Sequence, residues 1–138
     1  GLAYNSKGQY DKALEYHQKA LKIRLKKLGP EHPYVALSYN NLGKVHSNKG
    51  QYDKTISNYK KALKIRLNKL GAEHSLVAIS FHNLSYAYND KKDYKNALRY
   101  ANKALTIAKT RLGPSHPYTI LYTKHLNDIK NRKVKPRK

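Results

Sequence analysis

Small and apolar residues recur along residues 10–28 at Ala13, Leu14, Ala20, Leu21, Leu25 and Leu28, separated by lysines and other polar positions. Spacings of three, four and seven put these residues on one stripe of a helix that begins near Tyr10. The stripe stops at Gly29-Pro30, because glycine suits a left-handed C-terminal cap and proline cannot continue the helix. A second pattern opens after His32. Pro33 fits a first helical turn, and Val35, Tyr39, Leu42 and His46 follow at i, i+4, i+7 and i+11. Asn48-Lys49-Gly50-Gln51 then reads as a short turn, after which the first pattern returns.

The return has a fixed period of 42 residues. Gly8-Gln9-Tyr10-Asp11-Lys12 comes back as Gly50-Gln51-Tyr52-Asp53-Lys54 and, more loosely, as Lys92-Asp93-Tyr94-Lys95-Asn96. Lys19-Ala20-Leu21 comes back at 61–63 and 103–105, and Leu28-Gly29 at 70–71 and 112–113. Each Leu-Gly is followed at the same offset by a histidine: His32, His74 and His116. Between blocks 8–49 and 50–91, 23 of 42 positions are identical, so the chain is a tandem array of two-helix units.

Within the units, Tyr39-x-x-Leu42-Gly43-x-x-His46 followed by Thr55-x-x-x-Tyr59 and Ala62 resembles the tetratricopeptide repeat pattern. Phe81-x-x-Leu84-Ser85-x-x-Tyr88 with Ala97, Ala101 and Ala104 continues it. The 42-residue period and the Leu-Gly-Pro-Glu-His-Pro block at 28–33 are similar to the kinesin light chain type of repeat. The resemblance implies an all-α, right-handed α-α superhelix, a solenoid of helix-turn-helix units with about seven helices. It divides the array, residues 1–129, into a partial unit 1–32, units 33–74 and 75–116, and a final helix 117–129; a basic tail follows at 130–138. The first unit enters at Gly1-x-x-Tyr4, and in the last the bulky and glycine positions become Thr123 and Asn127. Two readings of that polar last helix stand, a capping element or the end of a truncated array. Ala20, Ala62 and Ala104 are expected to be buried where helices approach closely.

The same resemblance implies that the first helices of successive units line a concave groove that receives a partner peptide. By repeat position the groove stripe is Asn40, Lys44 and Ser47, then His82, Tyr86 and Asn89, then Lys124 and Asp128. Each set obeys helical spacing. Amides, hydroxyls and a lysine can hydrogen-bond an extended backbone or a carboxylate, and Tyr86 offers a flat apolar contact. Asn40 is similar in placement to the asparagine that clamps peptide backbone in kinesin light chains, although its counterpart here is His82. Asn41 and Asn83 read as structural. Exchanging Asn40 and Lys44 for alanine is expected to weaken partner binding with helicity and melting nearly unchanged.

Composition narrows the chemistry. The 138 residues suit one domain and carry 29 Lys and Arg against 8 Asp and Glu, a formal charge of +21. There is no Cys, which excludes disulfides, thiolate metal sites and cysteine nucleophiles. No stretch reads as a membrane span or signal peptide. The chain starts at Gly1 rather than Met, which reads as a fragment or a processed chain. No carboxylate pair, phosphate-cradling loop or His-Glu-x-x-His pattern is present, so no enzyme, cofactor or metal site is expected. His32, His74 and His116 each read as ordering a helix entry. His17 and His46 stand where the repeat wants an aromatic ring.

The charge lies mainly on the second helices. Lys12, Lys19, Lys22 and Lys26 share one face, echoed by Lys54, Lys61 and Lys64, and the tail has six basic residues in nine. A solvated outer face accounts for such a ridge, but so would attraction of anionic partners. The expected function is a non-enzymatic protein–protein interaction scaffold that favours acidic partners. It is expected in the cytoplasm, or in the nucleus if the tail acts as an import signal. The alternative is an anion-binding module that meets nucleic acid or an acidic membrane through Lys19, Lys22, Lys61, Lys64, Arg132 and Lys133.

Overall fold

The computed structural model describes the backbone of residues 2–134 and the side chains of residues 8–132. Among these residues there are six helices and no strands: α1 (Leu2–Leu28), α2 (Pro33–Asn48), α3 (Tyr52–Leu70), α4 (Ser75–Asp90), α5 (Tyr94–Leu112) and α6 (Pro117–Val134). Gly29, Gly71 and Gly113 end α1, α3 and α5 with φ of +88°, +90° and +88°, a backbone region that residues bearing a Cβ seldom adopt. His32, His74 and His116 then start the next helices. Their Nδ1 atoms accept hydrogen bonds from the amides of Tyr34, Leu76 and Tyr118 at 3.1, 3.0 and 3.0 Å. An imidazole thus does what a Ser or Asp side chain does at most helix starts.

The six described helices agree with the expectation of about seven; α1 runs unbroken through Gly8, where the repeat places a turn. At the corresponding Gly50, the amides of Lys49, Gly50 and Gln51 bond the carbonyls of Val45, His46 and Ser47. The side chain of Tyr4 lies outside the described residues.

The chain forms two compact units, Gly1–Lys69 and Leu70–Lys138. In the first, Val35 and Ala36 of α2 meet Ala62 and Ile65 of α3, with Leu21, Leu25 and Tyr39 packed around them. Ala36 and Ala62 are fully buried, and their small side chains let the backbones approach closely. Arg24 ties α1 to α2 by donating to Ser38 Oγ at 2.8 Å and to the Tyr34 carbonyl at 3.2 Å. Ala20 departs from expectation. It is only half-buried, because no described helix covers the face of α1 that carries it, whereas Ala62 and Ala104 are fully buried. Exposed Tyr16 and Ile23 share that face, while Ile65 and Ile107, the counterparts of Ile23, are buried.

In the second unit Phe81, Leu84, Ala87 and Tyr88 of α4 are buried, as are Ala97, Ala101, Ala104 and Ala108 of α5 and Tyr122, Leu126 and Ile129 of α6. The Tyr100 ring stacks on both Tyr88 and Phe81, at centroid distances of 5.6 and 5.8 Å. The two units solve one contact differently. A Cβ added at Gly43 would lie 2.5 Å from Cε1 of Tyr59, so the tyrosine fits only over a bare backbone. One period later the same two positions hold Ser85 and Ala101, both buried: the first residue has grown and the second has shrunk.

Gly43→Ala should therefore cost about 1–3 kcal/mol by overpacking, and Tyr59→Ala about 3–5 kcal/mol by leaving a cavity. In urea unfolding the double variant should cost clearly less than the sum, since it restores the size match used by Ser85 and Ala101. Strict additivity would mean that this contact does not set the α2–α3 distance.

Candidate functional site

The core positions of α2, α4 and α6 fix which residues each first helix turns outward. On α2, with Val35, Ala36, Leu42 and Val45 buried, Lys44 is exposed, Ser47 half-buried and Asn40 buried. On α4, Tyr86 is exposed, His82 half-buried and Asn89 buried. On α6, Lys124 and Asp128 are both exposed. Leu37 and Leu121 are exposed as well, one turn before Asn40 and Lys124 on the same helical faces. Sequence reasoning passed over these two leucines. Their signal was an apolar residue recurring on an otherwise polar stripe.

Asn40 has a partner inside its own unit. Its amide oxygen accepts two hydrogen bonds from the Arg66 guanidinium of α3, at 2.9 and 3.0 Å. Arg66 is itself buried, and loss of hydration lowers its pKa from the ordinary value. Asn40 therefore helps to satisfy a charge taken out of water. The expectation that its loss leaves stability unchanged is corrected on this ground.

In the second unit, α6 brings two rings against α4 that sequence reasoning did not select. The His82 ring stacks on Tyr122 at 4.4 Å and meets His125 edge-on at 4.9 Å, and Tyr86 stacks on His125 at 4.2 Å with the planes 6° apart. His82 and Tyr86 also touch edge to face at 5.0 Å. Ser85 Oγ donates to the Ala97 carbonyl at 2.7 Å and lies 2.8 Å from Nε2 of His125. The serine proton is thereby engaged, so Nε2 of His125 is the donor in the second bond. The Nδ1 of His82 and the Oδ1 of Asn89 are buried without a hydrogen-bond partner.

Burial dominates the titration of this cluster. It holds His82 down at about 4, with the charge of His125 adding to the effect. It also holds His125 at about 4, against the pull of Asp128 and with a further push from Arg132. Tyr122 is raised to about 12 by burial and by Tyr118. The sequence signal for the cluster was a break in the repeat. Tyr122 replaces Ser38 and Ser80, and His125 replaces Asn41 and Asn83.

Several cations of the second helices are engaged locally. Lys19 pairs with Glu15 at 3.2 Å, both well exposed. Lys61 sits over the Tyr39 ring and Lys103 over Phe81, each 5.5 Å from the centroid. Lys22, Lys64 and Arg132 are exposed. The side chain of Lys133 and residues 135–138 of the tail lie outside the described residues. Among the described residues, no group of three or more His, Asp or Glu is placed to hold a metal ion. No described helix is long and apolar enough to cross a membrane.

Asn40→Ala should cost about 1–3 kcal/mol, the usual cost of removing one side of a charged hydrogen bond in the interior. Lys44→Ala should be neutral within about 0.5 kcal/mol. Thermal unfolding of the two variants checks both values.

The tetratricopeptide repeat family model matches residues 1–68 and 44–110. Among solved structures, BtubC (BKLC) from P. vanneervenii is 25% identical with a TM-score of 0.84, over 91% of this chain and 50% of that one. The nearly identical TPR-like repeats of a kinesin-light-chain-type protein from Podospora anserina give 23% identity and a TM-score of 0.83, over 95% of this chain and 62% of that one. A single-residue variant of the latter gives 24% identity and a TM-score of 0.81, over 92% and 60%. The chain thus spans about half to three-fifths of the length of these proteins. Comparison with curated proteins finds no match. The likenesses make the fold that of a helix-turn-helix, all-α solenoid.

Proposed function

Because the chain belongs to the tetratricopeptide repeat family, we propose that it is a non-enzymatic scaffold whose units each present the outward face of their first helices to a partner segment, α2 in the first unit and α4 and α6 in the second. The family's fold is one used for protein–protein interaction. The observation that carries the finer reading is the pairing of exposed apolar and exposed charged residues on those faces. Leu37 stands with Lys44 on α2, and Leu121 with Lys124 on α6, with Tyr86 exposed between them in sequence on α4. Such pairs suit a peptide that offers an apolar side chain beside a carboxylate. Asn40 contributes by fixing Arg66 rather than as a free clamp. Ser47 completes the proposed surface of the first unit, and His82, Asn89 and Asp128 complete that of the second.

The net charge of +21 supports a preference for acidic partners, since a field of that size raises their encounter rate and disfavours basic ones. In this reading the protein acts in the cytoplasm. The second reading, an anion-binding module, draws support from the exposed Lys22 and Lys64 of the second helices. It is weaker because Lys19 and Lys61 already interact with Glu15 and the Tyr39 ring.

Binding of acidic, neutral and basic peptides at about 0.05 and 0.3 M salt tests the proposal, the Debye length falling to roughly 6 Å at the higher value. Acidic peptides should bind best and keep measurable affinity in high salt. Lys44→Glu with Lys124→Glu should weaken them about tenfold, or 1.4 kcal/mol, at unchanged melting temperature. Lys22→Glu with Lys64→Glu should change affinity less than about twofold, near 0.4 kcal/mol. The opposite ranking, with duplex DNA bound and released steeply by salt, would favour the anion-binding reading.

A further inference from the structure

We propose that His82, Tyr86, Tyr122 and His125 form an acid-sensitive latch, which keeps α6 docked on α4 only while both imidazoles are neutral. Its consequence for binding rests on the function proposed above, because Tyr86 belongs to both; the latch itself does not.

The geometry disfavours a second proton on either ring. Nδ1 of His82 is buried and has no acceptor, so protonation there would create a charged donor with nothing to bond. His125 spends its Nε2 hydrogen on Ser85, whose own hydrogen goes to the Ala97 carbonyl. A second proton on either ring would also face the other imidazole, 4.9 Å away. The cationic form of His82 fits poorly by desolvation, by the charge of His125 and by an unmet hydrogen bond, and that of His125 by desolvation and by the charge of Arg132.

The groups around the pair come from three helices. From α4 there are Tyr86, stacked on His125, and Asp90, whose carboxyl is raised by burial and lowered by Arg132. From α6 there are Tyr118 and Tyr122, with Asp128 favouring a charged His125 and Arg132 opposing it. From α5 comes the Ala97 carbonyl, through Ser85. Asp128 is exposed and its pull is outweighed, since the net effect on His125 is downward.

The sign follows directly. Both histidines are held below their unfolded value of 6.5, at about 4. Between those limits the undocked form takes up protons that the docked form refuses. Docking is therefore fully favoured above about pH 6.5 and weakens as the pH falls toward 4.

Hydrogen exchange of the intact chain without any partner, from pH 7.5 to 4 and corrected for intrinsic rates, tests the latch. His32 caps α2 as His116 caps α6, so α2 serves as the reference and a loss of protection common to both helices is discounted. The latch predicts an excess loss in α6, on the order of tenfold or more for each histidine. His82→Phe keeps a ring against Tyr122, and His125→Gln keeps an amide donor toward Ser85; each should remove part of the excess. No excess in the native chain, or an undiminished excess in both variants, overturns the proposal. Imidazole proton resonances of the native chain give a check independent of any variant: those of His82 and His125 should titrate well below 6.5, and titration of both near 6.5 overturns it. If the latch opens as predicted while peptide affinity is unchanged at low pH, the binding role of Tyr86 fails and the latch stands.

Discussion

Everything in this fold depends on two helices approaching each other closely enough to exclude water along a full face. A single amphipathic helix cannot hide its stripe, and one helix pair hides it only in part, so successive units must share the task. Small residues set the distance. Ala36 against Ala62 and the bare backbone of Gly43 beneath Tyr59 let α2 and α3 meet. In the second unit Ser85 and Ala101 meet the same requirement with the sizes exchanged. What the repeat preserves is thus the combined volume at a pair of positions, since packing density tolerates a trade between partners better than a change in either alone.

That approach determines what remains for function. Once Val35, Leu42 and Val45, or Leu84, Ala87 and Tyr88, turn inward, helical geometry leaves Lys44 and Tyr86 facing outward. The same economy draws in part of the charge. Lys61 and Lys103 lie over rings of the first helices, where the methylene stem packs and the ammonium meets the negative ring face. The large positive charge is therefore partly a device of the fold. Lys44 and Lys124 are exposed, on helices that also expose Leu37 and Leu121, and the proposed function assigns the partner to them.

Much of this was legible in the sequence. The period, the stops at Gly29, Gly71 and Gly113, and the histidines that open the next helices all depend on local backbone chemistry, which residue order records well. The identity of side-chain partners was not legible. Asn40 reads as a surface amide until Arg66 arrives from a helix 26 residues later. Ala20 has the same neighbours in sequence as Ala62, and only the presence of a covering helix separates them. The ring cluster on α6 lay where Tyr122 and His125 break the repeat. A search for what recurs passes over such positions, although a residue free of the repeat's demands is well placed to acquire a new role.

A partner that meets the outward faces of the first helices must perturb those faces on binding. The most direct measurement is amide and methyl chemical-shift mapping of the labelled chain as an acidic, leucine-containing peptide is added at about 0.15 M salt, where the Debye length is near 8 Å. The perturbed residues should centre on Leu37, Lys44, Tyr86, Leu121 and Lys124. Perturbations centred instead on Lys22, Lys64 and the basic tail would contradict that placement.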